Sequence, residues 1–228
     1  MSTPKSHVLG EKTFKEISDA LDCDKTTYHM YDQFYPLFLE SKRSEQVRIL
    51  EVGLDEGKSV KIWREYLPKA TIIGVDVLDK SQFNTDIFIQ ADQSSWTDMC
   101  DVADQVQNVD IIIDDGSHVV QHQINTFEAL FPRCLAPGGV YIIEDIECSY
   151  WKPGSSIYGY TTDGASLFDY FINTHHTVNA HINEENNFLN IKSISYFQNA
   201  IVIQKQNNEE IARSNQAYRF KFNIEGAS

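Results

Sequence analysis

Ile49-Leu50-Glu51-Val52-Gly53-Leu54-Asp55-Glu56-Gly57 ends a short apolar run on an acid and places two glycines before a stretch with helical spacing. This is the pattern of a buried strand turning into a helix. Glycine in such a turn lets the backbone approach a ligand where a Cβ would collide. The third glycine of the dinucleotide fingerprint is missing, so the turn alone does not separate a nucleotide site from plain packing. Its neighbours narrow the reading. Val47–Val52, Thr71–Val77, Ile87–Gln90, Val109–Asp114 and Gly139–Glu144 are short and rich in Val and Ile, as strands buried on both faces are. Helix-like stretches at Ser59–Leu67, Trp96–Val106 and Val119–Leu135 alternate with them. Pro68 and Pro137-Gly138-Gly139 supply breakers where the chain turns back into a strand. A β-α-β-α order specifies an α/β fold with a doubly wound, mostly parallel, Rossmann-like sheet. Asn190–Tyr196 and Ala200–Lys205, separated by three residues, add an antiparallel C-terminal hairpin and bring the sheet to seven strands.

Outside this core, Lys12–Leu21 and Tyr28–Glu40 read as two helices joined by the polar Asp22–Thr27. Residues 1–46 are thus expected to form an N-terminal helical cap, residues 47–206 the catalytic domain and residues 207–228 a polar tail. The aromatic, Gly- and Ser-rich Cys148–Asp163 is a candidate substrate loop, and a helix is expected from about Ala165 to His176.

The strand ends carry the chemistry. Glu51, Asp76 and Asp92 close the first three strands, and in a parallel sheet those ends open on one edge. Asp76 stands where an acid accepts ribose hydroxyls, and Asp92 with Gln93 where a carboxylate and an amide reach an adenine. Three acids at this edge suit a nucleoside carrying a sulfonium and repel a pyrophosphate. Asp114-Asp115-Gly116-Ser117-His118 ends the fourth strand and Glu144-Asp145 the fifth. Carboxylates of Asp115, Glu144 and Asp145 brought together repel one another unless a hard cation such as Mg²⁺ neutralises them. Helix capping remains the alternative for any one of them. His118, beside this cluster, is placed to take a proton from a hydroxyl. Tyr150, Trp151, Tyr158 and Tyr160 offer aromatic faces to a sugar ring or another planar substrate, or simply pack beneath the loop.

The formal charge of −14 over 228 residues argues against nucleic acid as a partner. No stretch approaches the roughly 20 apolar residues of a membrane span. Cys23, Cys100, Cys134 and Cys148 show no CxxC spacing, which argues against a zinc knuckle or a disulfide framework, and a cytoplasmic location is expected.

Asp24-Lys25, His29-Met30-Tyr31, Tyr35, Glu51-Val52-Gly53, Gly74-Val75-Asp76, Ala91-Asp92-Gln93, Asp114-Asp115-Gly116-Ser117-His118, Pro137-Gly138-Gly139 and Glu144-Asp145-Ile146 together resemble the metal-dependent sugar O-methyltransferases of the mycinamicin and demethylmacrocin type and related rhamnosyl O-methyltransferases. The resemblance runs from about Cys23 to Lys205. It implies a class I fold that uses S-adenosylmethionine and Mg²⁺ to methylate a hydroxyl of a small-molecule acceptor, and homo-oligomers, dimers or tetramers. By it, Asp115, Glu144 and Asp145 are similar to the metal ligands and His118 to the general base. Glu51, Gly53, Asp76, Asp92, Gln93 and Asp114 fall in the cofactor region. Two alternatives stay open at this point: a metal-dependent hydroxylase, disfavoured by the single well-placed histidine, and a non-catalytic S-adenosylmethionine-binding protein.

Overall fold

The computed structural model describes residues 11–174 and 190–210. Five parallel strands form the centre: β1 (Arg48–Val52), β2 (Thr71–Asp76), β3 (Ile87–Gln90), β4 (Val109–Asp114) and β5 (Leu135–Glu144). A two-stranded β6 (Ser156–Ile157) and β7 (Tyr160–Thr161) hairpin stands apart, and β8 (Ile191–Phe197) and β9 (Ala200–Lys205) close the main sheet. The order β3-β2-β1-β4-β5-β9-β8, with β9 antiparallel to both neighbours, is the expected doubly wound sheet with a C-terminal hairpin. The winding reverses between β1 and β4, so a crevice opens beyond their carboxyl ends.

Both faces are covered, which explains the unbroken apolar runs. Successive residues of a strand point to opposite faces. Ile49, Ile111, Ile113 and Ile142 pack with Phe14, Ile17, Tyr35 and Trp63, from α1 (Phe14–Ala20), α3 (Tyr35–Leu39) and α4 (Lys58–Tyr66). Leu50, Ile112, Tyr141 and Ile143 pack with Val102, Phe127, Leu130 and Phe171, from α5 (Trp96–Gln105), α6 (Val120–Arg133) and α7 (Leu167–Asn173). The N-terminal helices therefore share a core with the sheet. Among the described residues no helix is long and apolar enough to cross a membrane.

Three local expectations change. The polar Asp22–Thr27 contains a helix of its own, α2 (Asp24–Thr27). The single helix expected over Tyr28–Glu40 breaks into a 3₁₀ turn at Tyr31–Gln33, then α3, then a second 3₁₀ turn at Glu40–Lys42. Met30 enters this stretch in the left-handed region (φ 56°), which no helix continues through, and Pro36 carries no N–H. Pro137-Gly138-Gly139 does not separate α6 from β5 but lies inside β5. The pairing with β4 jumps from Val109–Leu135 to Ile111–Val140, so these residues bulge out of the ladder, and the Gly138 N–H donates instead to the Gln206 carbonyl. Of the helix expected over 165–176, Leu167–Asn173 is observed; His175 and His176 lie outside the described residues, as does most of the expected tail.

Candidate active site

The crevice beyond β1 and β4 is a cleft of about 570 Å³, within the range of small-molecule sites. Its floor is made by the turn after β1. Gly53 adopts φ 88°, and a Cβ there would fall 2.0 Å from the Asp115 carbonyl oxygen. This glycine is needed because the ends of β1 and β4 touch, a packing reason beside the expected one of ligand approach. Gly116 answers to a similar constraint, since its Cβ would meet the Gln93 amide at 2.4 Å.

Of the residues assigned to the cofactor, Gly53, Asp76, Asp92 and Gln93 line the cleft, whereas Glu51 and Asp114 lie beneath it. The Asp76 carboxylate is oriented by two backbone donors, Leu54 N–H and Leu78 N–H, each at 2.9 Å. Asp92 accepts from the Ser94 N–H at 2.8 Å, while Ser95 caps α5. Gln93 clamps two strand ends: its Nε2 donates to Asp114 at 2.6 Å and its Oε1 accepts from the Ser117 N–H at 2.8 Å. Asp114 is fully buried, and burial pushes its carboxyl up to about 7. Glu51 is equally buried and is likewise pushed up to about 7 by burial; its Oε2 accepts from Ser59 Oγ at 2.8 Å and Trp63 Nε1 at 3.0 Å.

At the reacting end, ligand atoms of Asp115, His118 and Asp145 all lie within 4.8 Å of one another. Glu144 is not brought into this group. Both of its oxygens are engaged elsewhere, one by Lys25 Nζ at 2.7 Å and the other by a short hydrogen bond from the Tyr35 hydroxyl. Asp145 sits in the left-handed region (φ 50°). There its Oδ1 accepts from the Tyr31 hydroxyl at 2.5 Å and Asn199 Nδ2 at 2.9 Å. His118 is also left-handed (φ 59°) and buried, with Nε2 3.7 Å from Asp145 Oδ2 and no hydrogen-bond partner at Nδ1. Two adjacent left-handed non-glycine residues are strained backbone of the sort that collects at working sites.

The aromatic loop divides. Tyr158 and Gly159 form the tip of the β6–β7 hairpin, both with positive φ, as a two-residue type I′ turn requires. Tyr158 is 74% exposed and its ring centroid lies 5.7 Å from that of His118, on the cleft wall. Tyr160 also lines the cleft and meets His122 edge-on. Tyr150 and Trp151 do not reach it. The 3₁₀ turn Ile146–Tyr150 leaves Tyr150 in solvent and lays Trp151 against the core.

Lys25, Tyr31, Tyr35 and Asn199 had no assigned role in the sequence. Lys25 is only 1% exposed, yet its ammonium contacts Asp115 at 2.7 Å and Glu144 at 2.7 Å and lies 3.8 Å from Glu51. The one available signal was a charged residue inside the Asp24–Tyr35 stretch that carried the family resemblance.

No protein-family model matches the chain. Among curated proteins it is 36% identical over 144 residues to 8-demethyl-8-alpha-L-rhamnosyl tetracenomycin-C 2'-O-methyltransferase of Streptomyces olivaceus, covering 59% of this chain and 38% of that protein. It is 36% identical over 135 residues to mycinamicin VI 2''-O-methyltransferase of Micromonospora griseorubida, covering 55% and 33%. Among solved structures, the MycE methyltransferase from the mycinamycin pathway, in complex with Mg, SAH and mycinamycin VI, superposes with a TM-score of 0.75. There the identity is 26%, over 88% of this chain and 55% of that one. Over this region the chain is similar to sugar O-methyltransferases. The matched region spans little more than a third of these curated sugar O-methyltransferases and just over half of MycE.

Proposed function

We propose that the protein is an S-adenosylmethionine-dependent, Mg²⁺-assisted O-methyltransferase acting on a sugar hydroxyl of a small natural-product acceptor. The observation that carries this reading is one cleft lined by Asp76, Asp92 and Gln93 and also by Asp115, His118 and Asp145. The residues fit both groups. Asp115 and Asp145 supply the hard oxygen donors Mg²⁺ prefers, whereas an imidazole suits softer metals, which leaves His118 free to act as a base. The unpartnered Nδ1 of His118 marks a buried ring whose hydrogen bonding the protein does not complete.

When bound, S-adenosylmethionine supplies an electrophilic sulfonium methyl group and Mg²⁺ a Lewis acid that acidifies a hydroxyl. Asp76 holds the ribose end of the cleft. Asp115 and Asp145 would hold the ion, Asp145 being fixed by Tyr31 and Asn199. His118 Nε2 takes the acceptor's proton, and Asp145 Oδ2, 3.7 Å away, stabilises the imidazolium that forms. Tyr158 lies over His118 as a face for the sugar ring and shields the reacting atoms from water. A cleft that held hydroxyl and methyl donor together in a productive orientation would recover roughly 7–11 kcal/mol of barrier. Four free cysteines, three of them buried, suit a cytoplasmic enzyme; assembly into dimers or tetramers belongs to the same reading.

Calorimetry tests it. S-adenosylmethionine is expected to bind wild type and to bind Asp76→Ala at least tenfold more weakly, while Mn²⁺ binding falls at least tenfold in Asp145→Asn. Unchanged affinities in both variants would refute the assignment.

A further inference from the structure

Lys25 lies between two sets of carboxylates. On the inner side are Glu51 and Glu144, both essentially without solvent contact; on the cleft side is Asp115, whose Oδ2 the ammonium touches at 2.7 Å. Removing Glu51 and Glu144 from water as carboxylates costs several kcal/mol each unless positive charge accompanies them. Lys25 is the one cation that reaches both of them and Asp115 among the described residues. Its ammonium donates to one oxygen of Asp115 and one of Glu144, each at 2.7 Å. The ammonium is itself placed from outside the sheet, at the first turn of α2, where Thr26 bonds Ser18 Oγ at 2.8 Å and Asp19 at 2.7 Å and so ties α2 to α1.

We propose that the Lys25 ammonium is a built-in cation that competes with the divalent ion for Asp115 and Glu144, and so sets how tightly the site holds that ion. The argument is one of shared ligands. Asp115 offers an oxygen to the cleft-facing group with His118 and Asp145 while bonded to Lys25. Glu144, next in sequence to Asp145, is kept from that group by Lys25 and Tyr35. A divalent ion entering beside Asp115 meets a fixed positive charge and a carboxylate already engaged, both of which weaken binding. Lys25 is therefore a positioning residue: it lets Glu51 and Glu144 be stored under the cleft beside Asp115 and keeps the ion exchangeable.

This inference rests on the cation site proposed above. Its test is a titration of free Mn²⁺, followed by electron paramagnetic resonance, with neither cofactor nor acceptor present. Wild type is compared with Lys25→Met and with the double variant Lys25→Met/Glu144→Gln, and each is also melted in EDTA and in Mn²⁺. Lys25→Met is expected to bind Mn²⁺ at least tenfold more tightly than wild type, to melt lower in EDTA, and to recover when Mn²⁺ is added. The double variant is expected to lose most of the tightening, since Glu144 no longer offers a freed carboxylate. A purely structural lysine would give the opposite sign, because loosening the site weakens metal binding. Equal or weaker affinity in Lys25→Met, failure of that variant to fold even with Mn²⁺, or tightening that persists in the double variant overturns the proposal. If wild type binds no Mn²⁺ while Lys25→Met does, the inference stands and the native cation reading falls; if neither binds, both fall.

Discussion

Replacing Gly53 with alanine sets a methyl group against the backbone at the point where β1 and β4 meet. The new Cβ would lie 2.0 Å from the Asp115 carbonyl oxygen, 2.7 Å from its carbon and 2.8 Å from Gly116 Cα, and none of these atoms can rotate away as a side chain would. The left-handed backbone costs a non-glycine residue about 1–2 kcal/mol. Overlap with fixed atoms adds about 1–3 kcal/mol. The sum, about 2–5 kcal/mol, is a large part of the margin of about 5–15 kcal/mol that keeps a domain folded. Gly154 is an internal control: its φ of 87° matches that of Gly53, but nothing lies within 4 Å of its Cβ position. Gly154→Ala carries the backbone cost alone. Urea unfolding followed by circular dichroism should therefore show Gly53→Ala losing about 1–3 kcal/mol more than Gly154→Ala with the slope m unchanged. Mn²⁺ binding should weaken only in Gly53→Ala, because relief of the overlap moves Asp115. Equal losses of stability in the two variants would refute the argument that β1 and β4 meet at this carbonyl.

Other outcomes follow from the same geometry. Tyr158→Ala is expected to raise the acceptor KM at least fivefold with little change in that for S-adenosylmethionine, as steady-state kinetics would show, because Tyr158 stands over His118 at the cleft wall. Glu51, pushed by burial from the ordinary carboxylate range to about 7, holds more protons folded than unfolded between about pH 4.5 and 7. Its contribution therefore makes stability fall as pH rises through that window, and Glu51→Gln should flatten the slope in urea titrations at several pH values. EDTA should abolish methyl transfer and Mg²⁺ restore it, while S-adenosylmethionine binding by calorimetry changes less than threefold, since Asp76 and Asp92 are not part of the Asp115, His118 and Asp145 group.

The central sheet was readable because its inner strands are buried on both faces: β4 and β9 begin and end where the apolar runs do, and so does the half-exposed edge strand β3. Asp76, Asp92 and Gln93 reach the cleft because strand ends of a parallel sheet share an edge, a rule that needs only topology. What escaped depends on contacts across the chain. Nothing near Lys25 in sequence announces partners 90 and 119 residues away. The exclusion of Glu144 from the cleft group goes with its bonds to Lys25 and Tyr35, distant partners that adjacent letters in a strand-end motif do not announce. Gly53 was legible as a special position, but its cause, the Asp115 carbonyl, belongs to a neighbouring strand. Trp151 and Tyr158 look alike in an aromatic loop; the I′ turn at Tyr158-Gly159 is what sends one to the cleft and leaves the other on the core.

The most direct test of the whole account is transfer of an isotope-labelled methyl group from S-adenosylmethionine to a panel of glycosylated acceptors in the presence of Mg²⁺, with the product's position read by tandem mass spectrometry. The account predicts label on a sugar hydroxyl oxygen, lost in EDTA and reduced at least a hundredfold in His118→Ala that still binds the cofactor. Label appearing on nitrogen or carbon, or transfer at the wild-type rate in His118→Ala or without a divalent ion, would contradict it.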